Sequence, residues 1–249
     1  KLHEHPYLKL KGSGTLIAII DSGIDYRHPA FRNGDRTKIV SIWDQNIPGG
    51  LSKEAPFGRV YNREEIDRAL SEENPLEIVP SIDESGHGTM LAGAAAGNGI
   101  PEEGFSGAAP QAELVIVKLK PAKQYLRELY LLPPEKDIFQ EDDIMLGISF
   151  AVKIAFQLKK PLAICIGLGT SQGSHRGEAP LSQYISSVAN FSQNAVAVSA
   201  GNEGFARRHY MGRMDENKQS ETVELQVGPR ESDLGFSMEF WGEAPNFYN

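Results

Sequence analysis

The 249 residues contain one cysteine, Cys165, so no disulfide can form within the chain. It lies inside the apolar run Leu162-Ala163-Ile164-Cys165-Ile166 and reads as a small buried hydrophobe, with a weak lean toward a reducing compartment. No stretch approaches the roughly 18 uninterrupted apolar residues of a spanning helix, which argues against a membrane span. Positive charge is in deficit: 25 Lys and Arg against 33 Asp and Glu leave a net charge of −8. Nucleic-acid binding needs a concentrated positive field, and Arg207-Arg208-His209 is only a short solvated patch, so a nucleic-acid partner is set aside. Internal repeats and low-complexity tracts are also missing. The sequence opens at Lys1 without a methionine or signal peptide, and is expected to be a processed or partial chain whose export cannot be read.

Hydrophobic residues make up 40% of the chain, enough for one large domain or one domain with a small appendage. Short β-rich apolar runs alternate with helical stretches, the pattern of an α/β domain with a mainly parallel sheet. Strands are expected over 15–20, 38–43, 113–118, 162–168 and 195–200. A helix is expected over 143–158, with Ile144, Ile148, Val152, Ala155 and Phe156 on one face. Acids crowd its start, Lys159-Lys160 its end, and Pro161 blocks continuation. A second helix is expected over 181–191. The segments 46–68 and 121–140 read as loops or insertions. After about Asn217 the alternation in 221–227 and 236–241 is that of antiparallel hairpins, so a β-type unit is expected there.

Three segments carry residues suited to chemistry. Asp21 follows the buried run Leu16 to Ile20, at the carboxyl end of a strand, where open α/β sheets build their sites; an Asx turn is the plainer reading. His87 is framed as Gly86-His87-Gly88-Thr89 and followed by small and apolar residues at helical spacing, which puts it near a helix start. Ser85 and Thr89 read as caps or positioning groups. Asn202, in Ala200-Gly201-Asn202-Glu203-Gly204, follows another buried strand. It serves either as a turn residue or as an amide donor toward developing negative charge.

Taken together and in this order, these segments resemble the aspartate, histidine and oxyanion-asparagine motifs of the subtilisin-like serine proteases (subtilases), over roughly residues 12 to 205. The resemblance implies a three-layer subtilisin-like fold and a serine endopeptidase. Asp21 would orient His87, His87 would move the serine proton, and Asn202 would donate to the oxyanion. Gly167-Leu168-Gly169 looks like the strand edge on which an extended peptide substrate lies.

One departure matters. Subtilases carry the nucleophile in a Gly-Thr-Ser segment after the asparagine, and nothing after Asn202 fits. Gly169-Thr170-Ser171 precedes Asn202 and lacks the following small residues and proline, so the nucleophile is expected to be absent from this chain. The sequence also resembles the clostridial-type bacterial branch, which includes germination proteases and carries a jelly-roll insert between the asparagine and the serine. Gly235 to Gly242 looks like the opening of that insert, and residues 121–140 and Asp83-Glu84-Ser85-Gly86 also suit that branch. The implied division is 1–216 as an incomplete catalytic domain and 217–249 as the start of the insert. That branch has members without a complete triad, so a catalytically inactive pseudoprotease that binds or signals is the rival. A small-molecule hydrolase with a Gly-x-Ser-x-Gly elbow at Gly169 to Gly173 is more distant, because its histidine would follow the serine. No cofactor is implied. Structural calcium occurs in many subtilases, but no loop here has regular calcium-ligand spacing, so calcium stays open. A cleaved propeptide is compatible with the family, and the resemblance fits a bacterial protein, spore-associated or secreted, without fixing its location.

Overall fold

The computed structural model describes residues 10–50, 52–100, 102, 104–133, 136–213, 220–228 and 235–242. Among the described residues eight strands and five α-helices follow one another as β1 (Leu16–Asp21), β2 (Arg32–Asn33), β3 (Arg36–Thr37), β4 (Ile39–Asp44), β5 (Arg59–Asn62), α1 (Arg63–Ser71), α2 (His87–Ala96), β6 (Glu113–Lys118), α3 (Gln124–Leu129), α4 (Glu141–Leu158), β7 (Leu162–Ile166), α5 (Pro180–Ala189) and β8 (Asn194–Val198). Six strands make the main sheet in the order β5-β4-β6-β1-β7-β8. All its pairs are parallel except β4 with β5 at one edge.

Side-chain alternation along β1 decides what lies on each face. Leu16, Ala18 and Ile20 join a core with Ile144, Ile148, Ala151 and Ala155 of α4 and Val188 of α5. Ile19 points the other way, into a core with Ile66 and Ala69 of α1 and Ala92 and Ala96 of α2. Helices therefore cover both faces, as expected of parallel strands read as continuous apolar runs. Asp21 shares the parity of Ile19, so its side chain faces α2.

Several sequence expectations need correcting. The supposed loop 46–68 contains β5 and the start of α1. Charged residues disguise that helix, yet Asn62 caps it and Glu65 returns the bond to the Asn62 backbone, a full capping box. Asn62→Ala should cost about 1 kcal/mol in urea unfolding. The segment 121–140 contains the short helix α3. Phe156 is 85% exposed and does not share the buried face of α4. A four-residue step turns about 400°, so the face drifts, and by Phe156 it has left the sheet. Gly147, Phe150 and Ala151 are buried in its stead. The last two long strands end at Ile166 and Val198, short of Leu168 and Ala200. Residues 220–228 and 235–242 form no strand, in keeping with the marginal stability of a hairpin without further partners. Among the described residues no helix is long and apolar enough to cross a membrane.

One buried cation ties α2 to the sheet. Lys38, 1% exposed, donates to Asn98 Oδ1 at 3.1 Å, to Pro110 O at 2.6 Å and to Ala96 O at the carboxyl end of α2, where positive charge is favoured. Burial pushes its pKa down from 10.5 to about 8. The unfolded chain then holds more protons than the folded one between these values, so stability rises with pH across that window. Lys38→Met should remove the rise, read as urea midpoints of both proteins over the same pH range.

Candidate active site

Asp21 is the last residue of β1 and fully buried. Its Oδ1 accepts from Ser22 N at 2.8 Å and lies 2.7 Å from Nδ1 of His87. An ionised carboxylate only accepts hydrogen bonds, so Nδ1 is the donor, and in the neutral ring the lone pair then lies on Nε2. The His87 side chain is 43% exposed, and among the described residues no hydrogen bond is made to Nε2. The pair is thus an imidazole held by a buried carboxylate and partly open toward solvent.

The two glycines around His87 have separate jobs. Gly86 is the N-cap of α2 with φ of +73°, a left-handed conformation that a side chain disfavours. Gly88 is pressed against the backbone of Gly23, where a Cβ would overlap the Gly23 carbonyl. The helix bearing His87 therefore starts in direct contact with the turn that follows Asp21.

Asp83 links these two segments and escaped the sequence reading as a site residue. Its Oδ1 accepts from Ser22 Oγ at 2.8 Å and Gly86 N at 3.0 Å, and its Oδ2 from Thr89 N at 2.8 Å and Thr89 Oγ1 at 2.6 Å. Burial pushes its pKa up, but the bonds from Thr89, Ser22 and Gly86 outweigh burial and leave it below the ordinary value. The signal was an acid three residues ahead of a helix whose N-cap is a bare glycine. Lys118, the last residue of β6, supports the same segment by donating to Ile82 O at 2.7 Å and Glu84 Oε2 at 2.8 Å. Ser85 Oγ accepts from His87 N at 3.3 Å, and Thr89 Oγ1 accepts from Asp25 N at 2.8 Å.

Strand register sets the rest of the site. Ile20, Ile166 and Val198 stand level across β1, β7 and β8, so Asp21, Gly167 and Ser199 follow side by side at the carboxyl edge. A Cβ on Gly167 would stand 2.7 Å from Asp21 Oδ2 and 3.0 Å from His87 Cε1, so glycine is required there sterically. Leu168 packs partly into the core on the α4 side. Gly169 is exposed beside the Ser199 carbonyl. Asn202 is exposed in the turn beyond β8, after Gly201 at φ of +79°, and no hydrogen bond joins it to His87. Ser171 is also exposed. Its carbonyl meets Nε2 of His175 at 2.9 Å, and the next helix starts only at Pro180. The strand–turn–helix elbow of a small-molecule hydrolase is therefore not formed at Gly169 to Gly173. Cys165 is half-buried on the α2 face, where burial and then the Asp21 charge push its thiol pKa up.

The structure thus places an aspartate at the end of a parallel strand against a histidine at a helix start, in that chain order, at the carboxyl edge of an α/β sheet. The chain belongs to the subtilase family of serine proteases: residues 12–226 match the Subtilase family, Peptidase S8. Its fold is subtilisin-like. The solved structure of the CspB protease of Clostridium perfringens is 32% identical with a TM-score of 0.71, covering 84% of this chain and 41% of that one. The major intracellular serine protease of Bacillus subtilis is 29% identical over 197 residues, 78% of this chain and 45% of that protein. The PI-type proteinase of Lactococcus lactis subsp. cremoris is 26% identical over 200 residues, 79% of this chain and 10% of that protein. The chain thus spans less than half the length of each of these relatives.

Proposed function

We propose that residues 1–216 form most of the catalytic domain of a serine endopeptidase, with its nucleophilic serine supplied by sequence beyond residue 249. The observation that carries this reading is the 2.7 Å bond from His87 Nδ1 to the buried Asp21 carboxylate. A scaffold gains nothing from a buried anion that orients an open imidazole. In this reading Asp21 holds the ring and stabilises its protonated form. Nε2 of His87 takes the proton of the serine hydroxyl as that oxygen attacks the peptide carbonyl, then gives it to the leaving amine. The Asn202 side-chain amide donates to the oxyanion. The substrate is a peptide or protein whose extended backbone pairs along Gly167-Leu168-Gly169. The sequence from Asn217 opens an insert between Asn202 and the serine, whose described residues 220–228 and 235–242 form no strand on their own.

The test is hydrolysis of a peptide library by the full-length protein, with products read by mass spectrometry. The expected result is internal cleavage that phenylmethylsulfonyl fluoride abolishes. Folded protein that leaves every peptide whole would overturn the reading and favour a pseudoprotease whose cleft binds without cutting.

A further inference from the structure

We infer that Asp83 is a positioning residue of this site, tying the turn after Asp21 to the start of the helix that carries His87. The inference rests on reading Asp21 and His87 as the base pair. Neither residue is held in place by its own bond alone. Asp21 ends a strand and His87 begins a helix, 66 positions apart in sequence, so their alignment depends on what joins the two elements.

The connection runs through one carboxylate. From the Asp21 side, Ser22 Oγ donates to Asp83 Oδ1. From the His87 side, Gly86 N, Thr89 N and Thr89 Oγ1 donate to the same group, and Ser85 Oγ adds a longer bond at 3.3 Å. Two of these partners then reach across in turn. Ser22 Oγ accepts from Gly88 N at 3.0 Å, and Thr89 Oγ1 accepts from Asp25 N at 2.8 Å. Residues on both sides of His87 are thereby fastened to residues that follow Asp21. Because the N-cap Gly86 has no side chain, Asp83 also takes the capping role, accepting from Gly86 N and from Thr89 N in the first helical turn.

An amide cannot take this place. Asparagine has one accepting oxygen, and its NH2 group would face N–H and O–H donors where the second carboxylate oxygen now accepts. The start of α2 must then move relative to Asp21. A misplacement of about 1 Å costs on the order of 100-fold in rate.

The experiment compares kcat and KM for peptide hydrolysis by the full-length protein and its variants. Asp83→Asn should lower kcat about 100-fold and change KM by less than about 3-fold. Thr89→Val, which removes one donor and one acceptor, should lower kcat about 10-fold, and Thr89→Ser should restore it. Asn62→Ala, a helix cap on the far edge of the sheet, should lower the unfolding midpoint and leave kcat unchanged. If Asp83→Asn lowers Tm as Asn62→Ala does but keeps kcat, Asp83 is merely structural and the inference is overturned. If Asp83→Asn does not fold, Thr89→Val decides: unchanged kcat contradicts the inference, and a loss rescued by serine supports it. Asp21→Asn separates the two readings. Should it leave kcat intact, the base-pair assignment itself has failed. Should it abolish turnover while Asp83→Asn and Thr89→Val do not, only the positioning role has failed.

Discussion

Full-length protein carrying Asp21→Asn should lose about 10⁴-fold in kcat with little change in KM. The buried carboxylate fixes the proton on Nδ1 and leaves Nε2 as a base. An amide that turns its NH2 toward Nδ1 reverses the tautomer and puts a proton on Nε2, where the serine needs an acceptor. The replacement is nearly isosteric, so the fold should survive, although Ser22 N, which donates to the same oxygen that meets Nδ1, loses its acceptor. KM should hold because Asp21, at 0% exposure, lies out of reach of substrate. Steady-state kinetics beside a thermal melt check this. Lost activity that merely tracks a lost fold would contradict it.

Gly167→Ala should lower kcat about 100-fold and also destabilise the fold by about 1–3 kcal/mol. The added Cβ would stand 2.7 Å from Asp21 Oδ2 and 3.0 Å from His87 Cε1, and would overlap Cδ1 of Leu91. Leu91 can turn its methyl aside. Asp21, at the end of a central strand, and His87, anchored by the Asp83 network, cannot move without losing their mutual bond. The same change at Gly169, where a Cβ would approach Ser199 O only to 3.7 Å, should alter KM before kcat. A normal kcat in Gly167→Ala would mean that the pair tolerates displacement, against the geometry described above.

Asp21 and His87, which the fold brings to 2.7 Å, stand out in sequence because each carries a local signature. Asp21 follows an unbroken apolar strand, and His87 stands between two glycines ahead of a helix of small residues. Their meeting follows from parity, since Asp21 falls on the same face as Ile19 and that face is covered by α2. Asp83 was not legible as part of the site, because its partner Ser22 lies 61 residues away and nothing local foretells that contact. The capping box of Asn62 and Glu65 was overlooked for another reason: the charged, Gly- and Pro-bearing segment around it suggested a loop, although Asn-x-x-Glu signals a helix start. Phe156 leaves the expected face because a four-residue spacing drifts by about 40° at each step. Asn202 was singled out by its setting after a strand, and in the structure it stands exposed beyond β8, where its role depends on the oxyanion it would meet.

The position of the nucleophile separates an active protease from a relative that binds without cutting. Labelling the full-length protein with a fluorophosphonate and mapping the modified residue by mass spectrometry addresses this directly. The predicted result is one modified serine beyond residue 249, with labelling lost in His87→Ala. Modification of Ser171, or no labelling of folded wild-type protein, would contradict the account.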